Sequence, residues 1–135
     1  MSDHSEIQDG DNHSFNINDV LYSPTHVFFG TLEANGNFNI YIGDGPNDGS
    51  KHLFWSTNSS SNLESGWTVS DLKLRKGPFD NYTKNLQIFA HGQHLEQVWY
   101  SGGTSDLKTP ASASLGDDGK FTLQQNNSVV WDSGK

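Results

Sequence analysis

Cysteine is absent from this chain of 135 residues, which excludes disulfides and thiolate metal sites. Basic residues are scarce. Eight Lys and Arg stand against 16 Asp and Glu, a formal net charge of −8, which argues against nucleic acid or an anionic membrane surface as a partner. No apolar run approaches the roughly 18 residues of a transmembrane helix. The opening Met1-Ser2-Asp3-His4-Ser5-Glu6 has neither the basic start nor the apolar stretch of a secretory leader. The expected location is therefore the cytoplasm, or the exterior by a route without a cleaved signal peptide. No segment carries a helical period. No nucleophile–base constellation and no phosphate-binding glycine loop is visible, so neither catalysis nor a cofactor is expected.

Only 32% of the residues are hydrophobic, yet eight Phe, four Tyr and four Trp are among them. Large rings bury much area per residue, so a few suffice for a small all-β core. Fourteen Gly, with many Asn, Ser and Asp, point to a turn-rich β protein of one domain.

Residues 1–15 are polar and read as an N-terminal tail, and 16–135 read as the domain. Asn16 to Tyr22 enters as a strand, closed by Pro24. Val27-Phe28-Phe29 follows. Asn35-Gly36 is a strong hairpin signal, because the central positions of a type I′ turn need positive φ. In Asn37 to Tyr41, Phe38 and Ile40 alternate with Asn37, Asn39 and Tyr41, which puts the apolar pair on one face. Leu53-Phe54-Trp55 returns. Further short strands are predicted at Trp67 to Val69, Leu72 to Leu74, Asn85 to Phe89, Val98 to Tyr100, Phe121 to Leu123 and Val129 to Trp131.

These segments repeat. Leu32, Gly36, Phe38 and Ile40 fall on Leu115, Gly119, Phe121 and Leu123 at a constant offset of 83. Each unit then ends on a tryptophan, Trp55, Trp99 or Trp131, followed by Ser56-Thr57, Ser101 or Ser133. Three β units, about 28–58, 67–104 and 111–135 with 16–27 as an entry strand, imply pseudo-threefold symmetry. A lone hairpin is marginal, so the units must pack on one another, with Trp55, Trp99 and Trp131 as structural core near a common axis.

The ordered set resembles the bulb-type, snowdrop-lectin-like family of mannose-binding lectins. Asp19 to Ser23 is similar to that family's entry strand. Gly36 to Tyr41 and Asn85 to Phe89 are similar to its Asn-Leu-Val-Leu-Tyr strands, and Phe54 to Asn58 to its Trp-Ser/Ala-Thr/Ser-Asn returns. The resemblance implies a β-prism II, three short antiparallel sheets, and non-catalytic binding of mannose or related glycans in defence or toxicity. The family's sugar site reads Gln-x-Asp-x-Asn-x-Val-x-Tyr. The first unit places Glu33, Asn35, Asn37, Asn39 and Tyr41 there, and the resemblance assigns Asn37 and Tyr41 bonds to sugar hydroxyls. An ionised Glu33 accepts but does not donate. Asn35 replaces Asp and loses a charge-assisted bond. Asn39 replaces an apolar contact.

The second unit offers Asn81, Thr83, Asn85, Gln87 and Phe89, where only Asn85 matches. The third offers Gly116, Asp118, Lys120, Thr122 and Gln124, where only Asp118 matches. Neither is expected to bind mannose. The alternative function is a protein-interaction or toxin-component module that keeps the lectin fold without sugar binding. A shallow sugar site gives roughly millimolar affinity, so a homo-oligomer or a partner protein would supply avidity. His91 and His94 lack a third metal ligand. Asp44-x-Pro46-x-Asp48 has a proline where a calcium loop needs a ligand. No metal is expected.

Overall fold

The computed structural model describes residues 2–10, 12–76, 83–104 and 108–134. They contain twelve strands and one short 3₁₀ turn, Ser59–Asn62, with no α-helix. The strands form three sheets, none of them closed into a barrel.

Each sheet is built on an antiparallel meander. The first comprises β4 (Phe28–Leu32), β5 (Phe38–Ile42) and β6 (His52–Ser56). The second is β7 (Thr68–Lys76), β8 (Lys84–His91) and β9 (Leu95–Thr104). The third is β10 (Ala111–Leu115), β11 (Phe121–Gln125) and β12 (Ser128–Asp132). The separate strands expected at Trp67 to Val69 and Leu72 to Leu74 are one strand, β7, bent by a register shift between Val69 and Asp71. The entry strand is shorter than expected: β3 spans Asp19–Tyr22 and pairs with β4.

The repeat is visible as shared register. Ile40 pairs with Trp55, Ile88 with Trp99 and Leu123 with Trp131, and in each case the register shifts at the very next residue of the central strand. A bulge at that place turns the last strand and aims its Trp inward. Two residues past each Trp, a hydroxyl closes the meander. Thr57 Oγ1, Ser101 Oγ and Ser133 Oγ accept from the backbone N–H of Phe38, Leu86 and Phe121 at 3.0, 3.0 and 3.1 Å. The three indoles meet edge to face, with centroids 5.9–6.4 Å apart. Such pairs contribute about 0.5–1.5 kcal/mol each beyond area burial. They are half-buried and cap the core; its fully buried centre is apolar, with Phe38 stacked on Phe121 at 4.9 Å and Phe15 against Phe38 at 5.8 Å.

Residues 2–10 and 12–15 are not a loose tail. β1 (Ser2–His4) runs parallel to β3 on the edge of the first sheet, and β2 (Ile7–Gln8) pairs with β10 of the third. Phe15 exchanges backbone hydrogen bonds with Leu72 of the second. Ile7 and Phe15 are buried in the core. Full burial of such side chains is worth about 1.5–3 kcal/mol each, which offsets the entropy of ordering the segment. Asp9 adds an ion pair to Lys84, at the start of β8.

The turn at Asn35-Gly36 also differs from expectation. Within it only Gly36 has positive φ, 98°. The Gly36 N–H donates to Glu33 O at 3.0 Å and the Glu33 N–H to Asn37 O at 2.8 Å, closing a three-residue loop rather than a type I′ pair. Gly119 repeats this geometry at φ 84°. The two-residue loop with both φ positive lies at Asn126 and Asn127, between β11 and β12.

Candidate functional site

In β5 the alternation puts Phe38 and Ile40 in the core and sends Asn39 and Tyr41 outward. Across the register, Asn39 lies beside Thr31 and Ser56, and Tyr41 beside Phe29 and Leu53. Glu33, at the end of the hairpin, reaches back along this face. Its Oε2 accepts from Thr31 Oγ1 at 2.8 Å and from the Tyr41 hydroxyl at 3.1 Å. The same hydroxyl accepts from Asn39 Nδ2 at 3.3 Å. Thr31, Glu33, Tyr41 and Asn39 thus form one relay of hydrogen bonds.

Outward alternation suggested a solvated Asn39. It is 7% exposed, and its Oδ1 is buried without a hydrogen-bond partner. An orphaned buried acceptor costs about 1–3 kcal/mol. Tyr41 is held from both sides: Phe29 stacks on it at 5.3 Å, and the Lys51 ammonium lies 5.8 Å from its ring centroid. The ring is thereby fixed, half-buried, with its hydroxyl in the relay. Burial raises the phenol pKa above its usual value; the Asn39 hydrogen bond works against this and the nearby Glu33 charge adds to it.

The asparagines of the turn are partly committed to structure. Asn35 Oδ1 accepts the Asn37 N–H at 3.0 Å, the side-chain turn that suits this residue. Asn37 Oδ1 accepts the Ser60 N–H at 2.7 Å, tying the hairpin to the 3₁₀ turn. Their amide Nδ2 groups stay available as donors. The structure therefore joins Glu33, Asn39 and Tyr41 with Thr31 in one network, and sets Asn35 and Asn37 apart from it in the adjoining turn, where Ser60 bonds to Asn37. Counting outward from Asn35 across the hairpin pairs Thr31 with Asn39, so Thr31 was legible in sequence. Lys51 follows the 43–50 loop, and no local pattern announces it.

The corresponding face of the second sheet is closed. Asn81 lies outside the described residues. Thr83 Oγ1 donates to Asn85 Oδ1 at 2.8 Å, and Asn85 Nδ2 donates to Ser101 O at 2.6 Å. Gln87 is wholly buried; its Nε2 serves Arg75 O and Lys76 O, and its Oε1 accepts from Gln97. Phe89 is buried beneath the Arg75 guanidinium, 5.7 Å from the ring centroid. On the third sheet Asp118 Oδ1 accepts the Lys120 N–H, and Gln124 Nε2 donates to Thr122 Oγ1. Gly116 offers no side chain at the place of Glu33.

Among the described residues, no cluster of three or more His, Cys, Asp or Glu is placed to hold a metal ion. No helix among them is long and apolar enough to cross a membrane. Asp48 spends both carboxylate oxygens on its own loop, accepting the Asp44 and Ser50 N–H groups at 3.0 and 2.8 Å. No protein-family model matches the chain, and no curated protein and no solved structure matches it.

Proposed function

We propose that this protein is a non-catalytic carbohydrate-binding protein of β-prism II architecture, with one site for mannose-type glycans at Glu33, Asn35, Asn37, Asn39 and Tyr41. The architecture is supported by three meanders that share a bulge, a closing hydroxyl and an inward Trp. The site is supported chiefly by the relay that joins Thr31, Glu33, Tyr41 and Asn39 along one outward face and leaves the half-buried Tyr41 hydroxyl at its centre. Fully structural polar faces saturate their hydrogen bonds, as Asn85 and Gln87 do. A face that keeps acceptor capacity on the Glu33 carboxylate, and open amide donors on Asn35 and Asn37, suits the alternating hydroxyls of a sugar. A role in defence or toxicity follows by resemblance.

A glycan array with soluble protein tests this, with Tyr41→Phe as the deciding variant. It removes only the hydroxyl and keeps the ring on Phe29. Asn37→Ala is a poorer choice because it also releases Ser60. Loss of glycan signal in Tyr41→Phe is expected; a signal that persists unchanged places the site elsewhere. A protein-interaction module is the second reading. The covered faces of Tyr41 and the exposed Leu95, Tyr100, Val129 and Val130 on edge strands β9 and β12 favour it. An array blank for every glycan, alongside a specific protein captured in pull-downs, would replace the first reading with this one.

A further inference from the structure

The face that carries the candidate site continues past Tyr41. Tyr22, Phe29 and Tyr41 are register partners on β3, β4 and β5, so their side chains leave the same side of the sheet. Their rings form a row, with centroids 6.4 Å apart from Tyr22 to Phe29 and 5.3 Å from Phe29 to Tyr41. The row ends on His26, whose imidazole lies nearly parallel to Tyr22 at 4.2 Å and 11°.

This ring pair is held in place deliberately. His26 sits at φ 61°, a left-handed conformation that costs a residue other than glycine about 1–3 kcal/mol. Its N–H donates to Ser23 O at 3.0 Å. Thr25 beside it is fixed to the turn of the third sheet, donating its N–H and hydroxyl to Asp117 Oδ1 at 3.0 and 2.7 Å.

Tyr22 and His26 border a cleft of about 530 Å³ between the first and third sheets, also lined by Asp3, Ser5 and Ser114. That size falls in the range of small-ligand sites. Flat rings beside two hydroxyls and a carboxylate complement a pyranose, which has an apolar C–H face and a rim of hydroxyl donors. The Asp3 charge and the net −8 of the chain disfavour an anionic ligand.

We propose that this cleft is a second saccharide subsite, so that the first sheet takes an extended neutral glycan with one sugar at Glu33–Tyr41 and a further one against Tyr22 and His26. The proposal rests on the carbohydrate-binding reading of the first site. Titration calorimetry with methyl mannoside and with mannotriose tests it on wild type, His26→Gly and Tyr22→Ala. Glycine suits φ 61°, so His26→Gly removes the imidazole without strain and keeps the test valid should Tyr22→Ala unfold. Wild type should bind the trisaccharide about tenfold more tightly than the monosaccharide. His26→Gly should lose that gain and leave monosaccharide binding unchanged. Equal wild-type affinity for the two sugars, or a gain that survives His26→Gly, overturns the subsite and leaves the first site standing. Monosaccharide binding lost in His26→Gly overturns the division of roles. Absence of all binding by wild type overturns the underlying reading and the subsite with it.

Discussion

Removing the carboxylate of Asp9 should unfold this protein at a markedly lower temperature. The Lys84 side chain is 9% exposed and that of Asp9 16%, so both charges are largely out of water. Lys84 Nζ donates to Asp9 Oδ2 and to Thr109 O at 3.0 Å, and the same Oδ2 accepts the Ala111 N–H at 3.1 Å. The group thus joins the N-terminal stretch, the start of β8 and the start of β10, and as an ion pair ties the β2–β10 pairing to the second sheet. Asp9→Ala leaves an ammonium buried with only a carbonyl for company. Breaking such a pair from one side costs about 3–5 kcal/mol. Against a typical total of about 5–15 kcal/mol this is a large share. At roughly 3–5 °C per kcal/mol for a chain of this size, the melting point should fall by about 10–20 °C.

The double variant Asp9→Leu with Lys84→Met separates the ion pair from its hydrogen bonds. It removes both charges, so it should recover most of the loss, leaving about 1–2 kcal/mol for the Ala111 N–H that loses its acceptor; the Thr109 carbonyl keeps its bond from Gln125 Nε2 at 2.8 Å. Urea denaturation of the wild type, each single variant and the double gives the coupling directly. An Asp9→Ala protein within about 1 kcal/mol of wild type would refute the reasoning. It would mean that the first fifteen residues are the loose tail that their polarity suggests.

Three further outcomes follow. A Cβ on Gly119 would meet Phe54 at 2.5 Å and Phe28 at 2.8 Å at φ 84°, whereas one at Gly66, φ 90°, meets nothing within 4 Å; by chemical denaturation Gly119→Ala should cost about 1–3 kcal/mol more than Gly66→Ala. The Thr25 N–H and hydroxyl hold Asp117 below the usual carboxylate range. A depressed folded-state pKa contributes stability above the unfolded value of about 4 and loses it as pH falls through the folded one, so Asp117→Asn should flatten the acid limb of a stability–pH profile and leave its slope near neutrality alone; an unchanged acid limb would discount the contact. Asn39→Val should raise stability by about 1 kcal/mol by deleting an orphaned buried acceptor; a loss of stability by urea denaturation instead would make Asn39 a structural residue.

Alternation along Phe38 to Tyr41 and the recurrence of Trp with a following hydroxyl carried the core and the contact between units, because both are local patterns tied to a period of two. The N-terminal stretch escaped the same reading for a physical reason. Ile7 has no periodic neighbour and Phe15 has only Ile17, which is exposed; they are buried because β10 and Leu72, about a hundred and about sixty residues away, come to meet them. Asn35-Gly36 misled because a type I′ pair and a three-residue loop both end on a left-handed glycine, and the pairing of Leu32 with Phe38 decides between them. Period two told which side Asn39 faces but not how deep it lies, since depth depends on Tyr41 and Glu33 closing over it.

The three sheets divide their residues in a way that bears on recognition. Inward positions must meet two other sheets at the indole cluster, so Ile40, Ile88 and Leu123 are nearly interchangeable. Outward positions answer only to their own strands and are free to differ. The second sheet used that freedom to saturate itself: Gln87 bonds two carbonyls and a neighbouring amide, and Arg75 covers Phe89. The first sheet did the opposite on its outward face at Asn39. It buries Asn39 Oδ1 unpaired beside a phenol that is itself bonded to a carboxylate. A face selected for stability alone would have an apolar side chain there, because an orphaned acceptor only destabilises. The amide instead spends its Nδ2 on the Tyr41 hydroxyl and so holds the phenol against Glu33, which fixes the outward position of the one group of the relay that both donates and accepts.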